Sequence, residues 1–354
     1  MKRGLLLINL GTPDAAEPEA VGRYLREFLM DKWVVDIPWP LRWALVNLAI
    51  VPRRKRASAH AYEKVWGKRG SPLRYHLEDL AQGVRAEAAG EFQVEIAMRY
   101  GQPGLRAGLR SLSACEQILV FPLYPQYAES STRSSLEEAG RQARALGIDP
   151  AKLSFVPAFY ADPGFIAAFA EAAREGLAGS QPDHYLFSFH GLPEAHVRAT
   201  DRSAGQPACL ASAGCCERVT DANRDCYRAQ CYATARALAA ELGLAPGKWS
   251  VSFQSRLGRR QWIKPYTDFV YKELAQKGAR QLAVLCPSFV ADCLETLEEI
   301  GMRGDADFRA AGGERVLTAA CPNARPSWAR AVAEIARREL ARRPGPGAVR
   351  ELGG

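Results

Sequence analysis

The chain has 354 residues, long enough for two medium domains that each bury a core. Apolar residues make up 47% and charged residues 24%, an ordinary globular balance, and no apolar run approaches the roughly eighteen residues that a membrane span needs. The net charge of +8 favours an anionic partner: nucleic acid, anionic lipid or a carboxylate-bearing substrate.

In chain order, GLLLINLG (4–11) is an apolar run halted by a Gly-Thr-Pro turn. It reads as a first strand, because a signal peptide would carry a longer apolar region and a small-residue cleavage site. A cytoplasmic protein is expected. Next comes IPWPLRWALVNLAIVPRRKR (37–56), in which Trp39, Trp43, Leu45, Leu48 and Ile50 precede Arg53, Arg54, Lys55 and Arg56. Two structures suit this segment, an interfacial element resting on a membrane surface or a buried helix with a solvated basic end. Its basic residues are not interleaved with aromatics as a nucleic-acid platform requires, so no nucleic-acid partner is expected.

Further apolar strands are predicted at 93–101, 117–127, 153–159, 184–193, 249–255 and 281–290, and helices at 133–146, 162–177, 231–244, 265–278 and 328–340. Continuous apolar strands separated by amphipathic helices indicate an α/β protein with parallel sheets covered on both faces. Two such units fit: a Rossmann-like lobe over 1–150 and a second over 151–324 that contains a cysteine-rich insertion at 200–231. A helix at 325–343 would pack back on the lobes, and 344–354 would form a flexible tail. Neither G-x-G-x-x-G after a strand nor G-x-x-x-x-G-K-[ST] occurs, so no nucleotide cofactor is expected.

Polar residues collect where the predicted strands end, the edge at which open α/β sheets build their sites. His190, one of five histidines, directly follows YLFSF and precedes Gly191-Leu192-Pro193, well placed as a base or ligand. In SFVADCLETLEEIG (288–301), Asp292, Glu295 and Glu299 are spaced to share one helix face, either as a functional row or as a solvated acidic face. FPLYPQYAESSTRSS (121–135) supplies Tyr124, Gln126 and Tyr127; SFQSRLGRRQWIKPYTD (252–268) supplies Gln254, Ser255, Arg256 and Trp262. With Arg99 and Tyr100 they offer aromatic faces and cations suited to a flat anionic ring system.

INLGTPD, MRYGQP, FPLYPQY, FSFHGLP, SFQSRLG-x-x-x-W-x-x-PYT and SFVADCLETLEEIG stand in the order seen in ferrochelatases, which the chain resembles from about residue 4 to about residue 340. The resemblance implies two chelatase-like lobes with an active-site cleft between them, and insertion of Fe(II) into protoporphyrin IX or a related porphyrin such as coproporphyrin III. It implies His190 as proton acceptor and Glu295, with Asp292 and Glu299, for metal or proton transfer. Substrate iron would meet His190 and Glu295, and Arg99, Tyr100, Tyr124, Gln126, Tyr127, Trp262 and Phe289 would contact or shape the porphyrin site. A monomer or homodimer with peripheral membrane contact is expected. The alternatives are a cobalt or nickel chelatase acting on another tetrapyrrole and a non-catalytic haem or iron–sulfur sensor. One departure is Cys293, where many family members have histidine.

The insertion carries Cys209, Cys215, Cys216, Cys226 and Cys231 in a segment too poor in large apolar residues to make a core of its own. Without a secretion signal, such spacing reads as metal binding before disulfides. The resemblance implies a [2Fe–2S] cluster held by internal cysteines, since Glu129 stands where the animal type has a ligand. A four-thiolate zinc site is the alternative. Five thiols compete for four places, with Cys231 the least secure.

Overall fold

The computed structural model describes residues 2–342 apart from 206, 213, 257 and 259; the tail expected from 344 lies outside them. Eight strands form two four-stranded parallel sheets with the same connectivity. In the first, β1 (Arg3–Gly11) runs between β2 (Gln93–Tyr100) and β3 (Gln117–Pro122), with β4 (Leu153–Phe155) beyond β3. In the second, β5 (His184–His190) runs between β6 (Trp249–Gln254) and β7 (Gln281–Leu285), with β8 (Arg315–Thr318) beyond β7. The two central strands are buried on both faces, Leu5 to Ile8 in one and Leu186, Phe187 and Phe189 in the other. This is why they read as unbroken apolar runs rather than as alternating ones.

Helices cover both sheets, as expected. In the first unit Leu6, Ile8 and Val120 pack with Leu109, Ala139 and Ala143 from the helices Leu105–Ser111 and Ser134–Ala145. In the second, Leu282 and Val284 meet Val270, Tyr271, Ile300 and Phe308. The first compact unit runs through Tyr124, takes Glu129–Pro157 and resumes at Ala324; the second comprises Pro125–Ala128 and Ala158–Asn323. The helix Pro326–Ala341 therefore joins the first unit, packed on the helix Pro72–Ala88, with Arg337 bonded to Glu91 at 2.8 Å.

Three local outcomes differ from the sequence expectation. β8 is only four residues long, with both ends exposed, too short for a pattern to show. The helix expected from 231 begins at Tyr227, capped by the Cys226 thiol, which accepts from Ala229 N at 3.5 Å. The acidic helix starts later than the shared spacing of Asp292, Glu295 and Glu299 presumes: 287–293 is irregular, and a π-helix runs from Glu295 to Gly304. Asp292 thus precedes the helix and does not share a face with Glu295 and Glu299.

The segment 39–65 is continuously helical. It anchors through Arg42, Val46 and Val51, yet Trp39, Leu41 and Leu48 are 61%, 64% and 66% exposed, so the wholly buried alternative does not hold. Among the described residues, no helix is long and apolar enough to cross a membrane.

Candidate active site

His190 ends β5 and is fixed on every side of its backbone. Its N–H donates to Ser288 Oγ at 3.0 Å, and its carbonyl accepts from the Tyr227 hydroxyl at 2.8 Å. The chain then turns against the end of β6, with Gly191 N donating to Gln254 O at 2.8 Å. A Cβ on Gly191 would lie 2.7 Å from that same oxygen, so only glycine permits the approach. His190 Nδ1 sits 2.6 Å from the Gly191 carbonyl. A carbonyl only accepts, so Nδ1 carries the proton, and a neutral ring presents the lone pair of Nε2 as a base.

The acids follow from the irregular stretch and the π-helix after β7. Asp292, 5% exposed, accepts from Thr296 Oγ1 at 3.0 Å, Asn323 Nδ2 at 2.7 Å and Cys321 N at 3.3 Å. Its carboxylate is spent on holding the 319–323 segment against the start of the helix. Glu295 and Glu299 are four apart in a helix whose wider i→i+5 turn sets such residues nearly one above the other. Burial pushes the Glu299 carboxyl up; a hydrogen bond from Ser255 Oγ (2.7 Å) and the nearby His190 pull it back, while Glu295 pushes it further up. Glu299 therefore lies within electrostatic reach of both His190 and Glu295 in the second unit.

β6 supplies the supports. Gln254, buried, donates through Nε2 to the Glu295 carbonyl at 3.3 Å and accepts at Oε1 from Ser188 Oγ at 2.7 Å. Ser255 has φ +65°, a conformation that costs a non-glycine residue energy and recurs at functional sites. It places the hydroxyl on Glu299. The Cys293 thiol is fully buried and hydrogen-bonded with Glu295; burial pushes it well up, so it is a neutral thiol. Phe289 stands edge to face with His190 at 6.4 Å between ring centroids, and Trp262 lies beside Gly191 on a segment bridged to Pro193.

The other sequence candidates belong to the first unit or are engaged in hydrogen bonds of their own. Arg99, Tyr100 and Tyr124 belong to the first unit. Arg99 pairs with Asp31 at 2.5 Å and donates to Ser134 Oγ at 2.8 Å, and the Tyr100 hydroxyl donates to Asp31 at 2.8 Å. The Tyr124 hydroxyl meets Ser135 Oγ at 3.1 Å. Gln126 donates to Thr234 Oγ1 and to the Pro287 carbonyl, and Tyr127 N donates to Gln230 Oε1. Tyr100 and Gln126 are buried within the chain, so the expected ligand contact is closed to them. Sequence reasoning missed Tyr227 and Asn323: Tyr227 lies inside the cysteine-rich insertion, where only the thiols drew attention, and Asn323 belongs to no motif singled out.

The insertion forms a second centre in the same unit. Cys209, Cys215, Cys216 and Cys226 line one cavity of about 400 Å³. They run as a chain of contacts: Cys215 and Cys216 sulfurs at 3.5 Å, Cys216 with Cys226, and Cys226 with Cys209. Cys231 does not line that cavity; it is fully buried and bonded with Tyr227. Among the described residues, no three His, Cys, Asp or Glu surround one point as a single metal ion requires. Asp201 organises the entry to the loop: hydrogen bonds from Ser203 first, then Cys209 N and Ala208 N, hold its carboxyl down at about 2.

The family model described as Ferrochelatase matches residues 2–340. A ferrochelatase of Bdellovibrio bacteriovorus is 45% identical over 336 residues, 94% of this chain and 98% of its own. One of Azotobacter vinelandii is 46% identical over the same shares of each chain. Among solved structures, the sirohydrochlorin chelatase SirB of Bacillus subtilis subspecies spizizenii with cobalt superposes with a TM-score of 0.51 at 12% identity, covering 96% of each chain. SirB from Bacillus subtilis with Fe3+ gives 0.51 at 13% over the same shares. At such identities the likeness is one of fold.

Proposed function

The chain belongs to the ferrochelatase family, and from that premise we propose that His190, Glu295 and Glu299 carry out the insertion of ferrous iron into a porphyrin to give haem. Supporting this most directly is the reach of Glu299 to both the His190 imidazole and Glu295 at the edge of the second sheet.

The reaction replaces two pyrrole protons by one Fe2+ and releases both protons. Nε2 of His190, its partner nitrogen committed to the Gly191 carbonyl, accepts a pyrrole proton. Glu299, poised by burial to hold or release a proton, and Glu295 above it strip water from the incoming iron or pass protons outward. Asp292 acts by holding the start of the π-helix, not by transfer. Trp262 and Phe289 give the ring an apolar, aromatic boundary next to His190. Protoporphyrin IX is the substrate we assign, with coproporphyrin III as the competing porphyrin. Purified protein should cause Fe(II)-dependent loss of porphyrin fluorescence, faster with proto- than coproporphyrin. No loss with either porphyrin would sink the assignment.

We assign Cys209, Cys215, Cys216 and Cys226 as ligands of a [2Fe–2S] cluster. Bound there, the cluster would supply a cross-link that a loop poor in apolar residues lacks. Freshly purified protein should be coloured and contain iron and sulfide; colourless protein with stoichiometric zinc would replace this assignment by zinc. The exposed Trp39, Leu41, Trp43, Leu45 and Leu48, followed by Arg53, Arg54 and Arg56, suit a peripheral contact with an anionic membrane by a cytoplasmic enzyme. Leu48→Glu should reduce cosedimentation with anionic vesicles; unchanged binding would remove that role.

A further inference from the structure

The thiol loop and the catalytic histidine meet at one helix end. Cys226 caps the helix Tyr227–Glu241, and the next residue, Tyr227, donates its hydroxyl to the His190 carbonyl at 2.8 Å. Ser288 Oγ accepts from His190 N and is itself bonded with the Tyr227 oxygen. His190 is thus held at both backbone groups, its N–H on Ser288 and its carbonyl by the Tyr227 hydroxyl. One turn along, the buried Cys231 thiol lies against Tyr227. Arg228 joins the loop to the site a second way, bonded with Cys216 and donating to the Lys264 carbonyl beside Trp262.

We propose that Tyr227 is a positioning residue that ties the thiol loop to His190: anchoring Cys226 fixes the helix end, and Tyr227 passes that fixation to the His190 backbone. This rests on the assignment of Cys226 as a ligand of the loop's metal group. It also gives the fifth cysteine a place, since Cys231 serves Tyr227 and not the group. Removing the hydroxyl of the buried Tyr227 takes from the His190 carbonyl the donor that holds it.

The test compares metal-loaded wild-type protein with Tyr227→Phe, Cys226→Ser and the double variant. Each is assayed for metal content, for amide hydrogen exchange in the peptide 186–193, and for kcat and KM. Tyr227→Phe keeps the ring's packing, so it should retain the wild-type metal content and porphyrin KM. Its exchange at 186–193 should rise severalfold and its kcat fall about tenfold. Cys226→Ser should lose the metal and raise the same exchange to the same level, and the double variant should add nothing further. Wild-type exchange and kcat in Tyr227→Phe would overturn the proposal, as would independent, multiplying effects in the double variant. Should Cys226→Ser not fold, wild type stripped by a chelator replaces it. Absence of metal from the wild type would instead overturn the ligand assignment, while Tyr227→Phe alone still decides the hold on His190.

Discussion

The carboxyl edges of the two sheets use their charges in opposite ways. In the first unit Arg99, Asp31, Tyr100 and Ser134 satisfy one another, and the ion pair at their centre is almost wholly buried. In the second, two carboxyl groups, Glu295 and Glu299, are set close together, and desolvation outweighs what Ser255, His190 and Arg303 return to Glu299. The strand order is the same in both. A shared fold thus spends one edge on holding itself together and leaves the other short of compensation, which is where a proton or cation gains most by arriving.

Breaking the closed edge should cost stability, and breaking the open one should cost rate. Asp31→Ala strands the Arg99 guanidinium and should lower unfolding free energy by about 3–5 kcal/mol in urea titrations. A loss under 1 kcal/mol would mean the pair is not the closed unit described. Glu295→Gln should lower kcat by about a hundredfold with no loss of stability. Stability falling in step with rate would erase the contrast between the edges.

Glu299 sharpens the comparison through pH. Burial raises its carboxyl above the ordinary value, so the fold holds its proton more tightly than the unfolded chain does. Its stabilising contribution is present below the unfolded value and lost as pH rises through the folded one. Glu299→Gln should therefore gain stability at neutral pH but not in acid, and should shift the acidic limb of the kcat profile. A pH-independent change in stability would contradict the sign. The smallest effect is expected at Cys231→Ser, which should keep the loop's metal, whereas Cys215→Ser should lose it; metal loss from both would return Cys231 to the ligand set.

Much of the second site was legible because it sits in contiguous motifs at strand ends. His190-Gly191, Gln254-Ser255 and Glu295 to Glu299 each lie within one short segment, and unbroken apolar strands announced the parallel sheets. Illegible were the partners that reach a residue from far along the chain: Asn323 on Asp292, Tyr227 on His190, Asp31 on Arg99. Asp292 misled because an i, i+3, i+7 spacing presumes an α-helix, while here the helix starts later and is wider. Arg99 misled because a cation at a strand end looks available until its buried carboxylate is located.

A proton transfer from the porphyrin to His190 Nε2 is read most simply from initial rates of Fe(II)-dependent porphyrin fluorescence loss by His190→Ala. These should fall by about a hundredfold or more, with circular dichroism and loop metal content unchanged. A folded His190→Ala protein that turns over near the wild-type rate would contradict it.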